Sequence, residues 1–268
     1  WEISADDGRP RPVALFGIRS CDVESIAILD EVFTGGDYVE PRYQLARQQL
    51  LLITASCPAP SAVCFCTSMG HGPRPRHYDI NLTEIHTASE HFFVADAGTQ
   101  RGQELLASLA ETARAADASD LRAAETCIDA ACSRIEKKLD TTNLAEDIAA
   151  RLESTHWRDV GERCLACGNC TMVCPTCFCT TTYDVTDLDG TASEHWQSWD
   201  SCFNADFSYL NGGTIRESVG SRYRQWLSHK LSTWHDQFGR SGCVGCGRCV
   251  TWCPVEIDIV EETRKLRG

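Results

Sequence analysis

No stretch of the chain approaches the roughly 18 consecutive apolar residues that a membrane-spanning helix requires, so membrane insertion is not expected. Positive charge is also scarce: 25 Lys and Arg stand against 38 Asp and Glu, a net charge of -13. Nucleic-acid binders need a basic face to displace counterions from phosphates, so nucleic acid is not an expected partner. Neither G-x-G-x-x-G nor G-x-x-x-x-G-K-[ST] occurs, which removes the usual dinucleotide and nucleotide fingerprints and would leave any flavin on a partner. The eight histidines show no H-E-x-x-H or other paired ligand spacing. The chain opens on Trp1 rather than Met, which puts the native start upstream, and no segment reads as a targeting signal.

Cysteine is abundant instead: 17 in 268 residues, crowded into 164–179 and 243–253. A disulfide scaffold spreads its thiols through a short secreted chain, whereas clustered thiols favour metal ligation in a reducing compartment. A cytoplasmic location is the expectation. Two segments repeat one pattern, C-x2-C-x2-C-x3-C-P: Cys164, Cys167, Cys170, Cys174 with Pro175, and Cys243, Cys246, Cys249, Cys253 with Pro254. In this arrangement the first three thiolates hold one 4Fe-4S cube and the fourth reaches the other. Cluster one is therefore assigned to Cys164, Cys167, Cys170 and Cys253. Cluster two is assigned to Cys243, Cys246, Cys249 and Cys174. Gly168, Gly245 and Gly247 suit a backbone that approaches a cluster closely and aims N–H groups at sulfur. Structural zinc is the competing reading, but zinc sites pair two C-x2-4-C hooks rather than three cysteines at x2-x2 spacing. Two one-electron centres held close together make a relay rather than a catalytic centre.

The remaining thiols are less determined. The apolar run Pro12–Ile18, a cap at Ser20-Cys21-Asp22 with a helix after it from Val23, a helix over Tyr43–Gln49 and a strand from Leu50 to Thr54 read as a βαβ unit. Its parallel strands place Cys21 and Cys57 at one sheet edge, where ligands collect in α/β sheets. Cys64 and Cys66 follow in the same loop, so Cys21, Cys57, Cys64 and Cys66 are enough for a third cluster; the alternative is small buried hydrophobes. Cys127 and Cys132 read as such hydrophobes, five residues apart and so on different helix faces. Cys177, Cys179 and Cys202 lack an evident fourth ligand. They read as a cluster completed by another residue, or as a redox or core set.

A hairpin is expected over Ile80–His86 and Phe92–Ala95, then helices over Glu104–Ala115 and Leu121–Leu139, and a bridging helix capped by Thr141-Thr142-Asn143 that runs to about Glu153. The fold class is α+β. A mixed α/β domain spans 1–155, and a mainly helical, ferredoxin-like dicluster domain spans 156–268. The second domain carries a large insertion between Cys174 and Cys243. In that insertion Arg216, Arg222, Tyr223, Arg224, Trp226 and Lys230 read either as a partner contact or as a solvated helix with an aromatic core face.

Phe16-Gly-Ile-Arg-Ser-Cys21-Asp22, Ile26 to Asp30, Cys64 to Gly70, Cys164 to Cys179, Trp199 to Cys202 and Cys243 to Pro254 carry a resemblance. On them the chain resembles the 4Fe-4S dicluster subunits typified by the sulfhydrogenase beta subunit and by the corresponding iron–sulfur subunit of anaerobic sulfite reductase. The resemblance implies a cytosolic electron-transfer subunit with no catalysis of its own. Its partners would be a flavin-bearing, NAD(P)-linked diaphorase subunit and a catalytic subunit, a nickel–iron hydrogenase first and a sulfite reductase next. Ser20 stands where that family would have proline, and the family's N-terminal extension is absent. Other classes that the residues leave open are a stand-alone iron–sulfur oxidoreductase and a thiol-based redox sensor.

Overall fold

A computed structural model describes residues 10–268. The chain divides into two compact units, 1–137 and 138–268.

The first unit is built on a four-stranded sheet in the order β1-β2-β3-β4. β1 (Val13–Ile18) feeds α1 (Ser20–Thr34) and α2 (Pro41–Gln48), and the chain returns as β2 (Leu50–Ala55), parallel to β1. β3 (Ile80–His86) lies parallel to β2, and β4 (His91–Ala97) closes the sheet as an antiparallel hairpin with β3. α3 (Gln100–Ser108) and α4 (Ala118–Ser133) complete the unit. Ile80 and Ile85 lie on opposite faces of β3 and both are buried, as are Val23, Ile28, Leu52, Val94 and Ala131. The β2–β3 seam is polar yet satisfied, because Thr54 and Ser56 hydroxyls both donate to Asn81 Oδ1, at 3.0 and 3.3 Å.

α1 is capped differently from the sequence expectation. Arg19 occupies the cap position and its N–H donates to Asp22 Oδ2 at 3.1 Å, so Ser20 and Cys21 lie inside the first turn. α3 stops at Ser108 rather than 115, where Leu109 and its successors face solvent and no packing face repays further helix. α4 stops at Ser133 rather than 139, and Ile135 is buried from the extended segment that follows.

The second unit begins with α5 (Leu144–Ala149), the expected bridge in shorter form, and α6 (His156–Arg163). Two four-residue helices, α7 (Asn169–Met172) and α10 (Arg248–Thr251), carry the two cysteine motifs and pack against each other. Between them lie the hairpin β5 (Thr180–Thr186) and β6 (Ser193–Trp199), the short pair β7 (Tyr209–Leu210) and β8 (Gly213–Thr214), then α8 (Val219–Ser228) and α9 (Trp234–Phe238). A π-helical turn, His229–Thr233, joins α8 to α9. α11 (Ile259–Arg267) ends the chain.

The core of this unit is aromatic. Trp157, Phe203, Tyr223, Trp226 and Trp234 are all buried, beside Leu227, Leu231 and Val160. α6 crosses α8 glycine to glycine. A Cβ on Gly220 would stand 2.4 Å from the Trp157 carbonyl oxygen, and one on Gly161 would stand 2.6 Å from the Gly220 nitrogen. Behind the first motif, Glu262 of α11 is 2% exposed and receives Arg163 Nη2 at 2.8 Å and Lys265 Nζ at 3.1 Å. Arg163 immediately precedes Cys164, so this ion cluster fixes the entry to the motif.

Candidate iron–sulfur centres

Each motif wraps its backbone in the same way. Ala166 and Gly245, two residues after the first cysteine of each motif, take left-handed φ values of 51° and 63°. That turn aims their N–H groups at Cys164 Sγ and Cys243 Sγ, both at 3.4 Å. The next left-handed residues, Gly168 at 73° and Gly247 at 72°, cap α7 and α10, which present Cys170 and Cys249. One helical turn further on, the chain leaves at Cys174 and Cys253. Asn169 ties the halves together, donating from Nδ2 to the Trp252 carbonyl at 3.2 Å.

Folding separates the fourth cysteine of each motif from its sequence neighbours. A cavity is lined by Cys164, Cys167, Cys170 and Cys253 together with Cys249 of the second motif, with Leu165, Phe203, Tyr223, Trp226 and Ile257 as its apolar wall. Burial pushes the Cys170 thiol up to about 12, with Cys164, Cys167, Cys253 and Cys174 as its charged neighbours. Burial pushes Cys249 well above the ordinary thiol range, and the neighbours adding to that are Cys243, Cys174 and Cys246. Burial likewise pushes Cys243 up to about 12, against the pull of Lys230. Cys174 thus lies among the thiols of the second motif, and Cys253 among those of the first.

Such sets of half-buried thiols, with Cys167 exposed, fit a polynuclear iron core. Thiolates crowded in an apolar pocket repel one another and resist ionisation, and a positively charged iron core removes both objections, since ligation and proton release are coupled. Among the described residues no three Cys, His, Asp or Glu side chains are gathered closely enough to hold a single metal ion as they stand.

A buried cation, the ammonium of Lys230, donates directly to one of these thiols. It lies on the π-helical turn, 4% exposed. Its Nζ donates to Cys174 Sγ at 3.4 Å, Thr176 Oγ1 at 2.9 Å and the Gly242 carbonyl at 2.9 Å. The aromatic core face expected of the basic-aromatic stretch is present in Tyr223 and Trp226, while Arg222 and Lys230 are buried with it rather than solvated or open to a partner. Arg222 spends its guanidinium on the carbonyls of Arg216 and Glu217, at 3.3 and 3.2 Å. The sequence signal was a single cation spaced four residues from both Trp226 and Trp234, in a run otherwise filled by Leu227 and Leu231.

The unassigned thiols form two contacts. Cys177 donates to Cys174, and this bond is the largest cause holding Cys174 well below the ordinary thiol range. Cys202 donates to Cys179, which is lowered to about 7 chiefly by that bond. The pairing of Cys179 with Cys202 is set by the β5–β6 hairpin, whose base is closed by the Asp200 N–H on the Cys179 carbonyl at 3.0 Å.

In the first unit, the 56–79 loop folds over the carboxyl ends of β1 and β2. Arg19 Nη1 donates to the Ser56 carbonyl at 2.9 Å, and Arg76 grips the buried Glu24 of α1 through two bonds of 2.8 Å. The loop brings Cys57, Cys64 and Cys66 together: burial pushes Cys66 up to about 11, and Cys64 and Cys57 add to it. Cys21 stands in the first turn of α1 at the same edge. Cys127 and Cys132 lie apart on α4, half-buried, and Cys127 Sγ donates to the Glu84 carbonyl at 3.6 Å.

Residues 163–257 match the family described as the 4Fe-4S dicluster domain. Over 269 aligned positions the chain is 31% identical to the sulfhydrogenase 2 subunit beta of Pyrococcus furiosus, covering 99% of this chain and 77% of that protein. The chain belongs to the 4Fe-4S dicluster electron-transfer subunit family. No solved structure matches it. Membership makes this an iron–sulfur electron-transfer subunit, like the sulfhydrogenase beta subunit. Among the described residues no helix is long and apolar enough to cross a membrane.

Proposed function

We propose that the chain relays single electrons through two 4Fe-4S clusters, between a flavin-bearing, NAD(P)-linked partner subunit and a catalytic partner. A nickel–iron hydrogenase is the first choice for that catalytic partner and a sulfite reductase the second. The observation that carries the reading is the exchange of fourth cysteines: Cys253 beside Cys164, Cys167 and Cys170, and Cys174 beside Cys243, Cys246 and Cys249. A bound 4Fe-4S cluster supplies reversible one-electron transfer. The chain's own residues hold the clusters at fixed separation, keep water out with Phe203, Tyr223 and Trp226, and direct N–H groups at the ligating sulfurs. No catalytic residue is assigned, and the chain is not an enzyme by itself.

A third cluster on Cys21, Cys57, Cys64 and Cys66 is supported by the convergence of the last three in one buried loop. Partner docking is supported by Tyr183 and Trp196, which face each other across the β5–β6 hairpin and are both exposed, with Trp199 nearby at 65% exposure. Large aromatic groups left open on a hairpin mark interaction surfaces. Thiolate ligation of iron calls for a reducing compartment, so the complex is assigned to the cytoplasm.

The test is iron and acid-labile sulfide per chain on anaerobically prepared protein, with electron paramagnetic resonance after reduction. About eight of each corresponds to two cubes and about twelve to three. Zinc without sulfide would sink the reading. Reduction of the clusters by NADH or NADPH should require the added flavin-bearing partner and should not occur with this chain alone.

A further inference from the structure

The two cysteine motifs are near-copies, which makes each the control for the other. Around the first motif's completing thiol, Cys253 Sγ accepts the backbone N–H of Ile257 at 3.2 Å. The corresponding thiol of the other set, Cys174, accepts a full ammonium, Lys230 Nζ at 3.4 Å. The three acceptors Cys174 Sγ, Thr176 Oγ1 and Gly242 O match the three N–H donors of a protonated lysine. Thr176 is itself fully buried and passes its hydroxyl hydrogen to the same Gly242 carbonyl at 2.8 Å, so the nitrogen is held on all sides. The π-helical turn is what rotates Lys230 inward between Trp226 and Trp234; such turns cluster at functional sites. The first set has a cation nearby too, Arg222, which acts on Cys164 through its charge while its Nη1 donates to two backbone carbonyls, whereas Lys230 donates directly to a ligating sulfur.

We infer that Lys230 makes the Cys243–Cys246–Cys249–Cys174 cluster the better electron acceptor of the two, and so gives the relay its resting direction. The inference rests on the crossed ligand reading. Its physical basis is that reduction adds one negative charge to the cluster, and an adjacent buried cation stabilises that charge, as does an N–H donated to a ligating sulfur. Lys230 is a positioning and charge-setting residue, not a catalytic one.

The experiment is a redox titration of the full chain, followed by electron paramagnetic resonance, on the wild type and on Lys230→Met, Lys230→Gln and Lys230→Arg. Cys174→Ser identifies the signal of the second cluster. At a fixed potential, Lys230→Met is expected to lower the reduced-to-oxidised ratio of that cluster at least tenfold, which is about 59 mV for one electron. The first cluster should hold its midpoint, and Lys230→Arg should stay near the wild type. Unmoved midpoints with full iron content would overturn the inference while leaving the relay intact. If Lys230→Met loses the second cluster, Lys230→Gln carries the comparison, since it keeps an N–H toward sulfur without the charge. Loss of iron in both would make Lys230 a structural strut and also overturn it. A wild type without reducible iron–sulfur signals would instead bring down the relay itself.

Discussion

Cys174→Ser puts the crossed arrangement under the sharpest test, because the residue belongs to the first motif by sequence and to the second by surroundings. Its sulfur neighbours Cys243, Cys246 and Cys249 and accepts Lys230 at 3.4 Å. Two consequences should appear together. The second cluster should lose its anchor, so iron should fall by about four atoms per chain. The buried Lys230 ammonium should lose its anionic partner, and an uncompensated buried charge costs about 3–5 kcal/mol, so the second unit should unfold at distinctly lower denaturant. Pairing the change with a second one decides which cluster was lost. Cys174→Ser with Cys243→Ser should lose no more iron than Cys174→Ser alone, whereas Cys174→Ser with Cys164→Ser should lose about eight atoms. Colorimetric iron analysis beside urea unfolding reads both effects. A Cys174→Ser, Cys164→Ser protein that lost only about four iron atoms would refute the crossed assignment, since both changes would then have struck one cube.

Other outcomes can be checked independently. Gly220→Ala should destabilise the second unit by about 1–3 kcal/mol, the usual cost of overpacking, because its Cβ would meet the Trp157 carbonyl at 2.4 Å; chemical denaturation measures it. Glu262→Ala leaves the part-exposed Arg163 and Lys265 without their shared carboxylate and should cost about 1 kcal/mol, with faster cluster loss as the Cys164 entry loosens; the decay of visible absorbance follows the second effect. Asp117, which caps α4, is lowered to about 2 chiefly by the Ser119 hydroxyl and then by backbone N–H groups. A depressed carboxyl stabilises the fold above its unfolded value, near 4, and loses that contribution as pH falls toward 2. Asp117→Ala should therefore speed amide exchange in the first turn of α4 at pH 7, and the gap from wild type should narrow from pH 4 downward.

Chemistry and local elements were legible in the linear chain. Two C-x2-C-x2-C-x3-C-P segments carry a ligand pattern in their spacing, and the apolar runs at Val13 and Leu50 sit in β1 and β2 because strand periodicity is a local property. The α+β class and the family followed from the same residues. Helix ends were less legible: α3 stops where its exposed face no longer packs, and packing is not local. The crossed thiol sets were assigned from spacing, whereas the contacts of Cys177 with Cys174 and of Cys202 with Cys179 came only with folding. Cys57, Cys64 and Cys66 converge because Arg19 and Arg76 pin their loop, through partners 37 and 52 residues away in the chain. Lys230 passed for a surface charge because its three acceptors, Cys174, Thr176 and Gly242, reach it only after the long insertion folds back on itself. A charge pattern reports what a side chain is, while its burial depends on distant segments that a linear reading does not bring together.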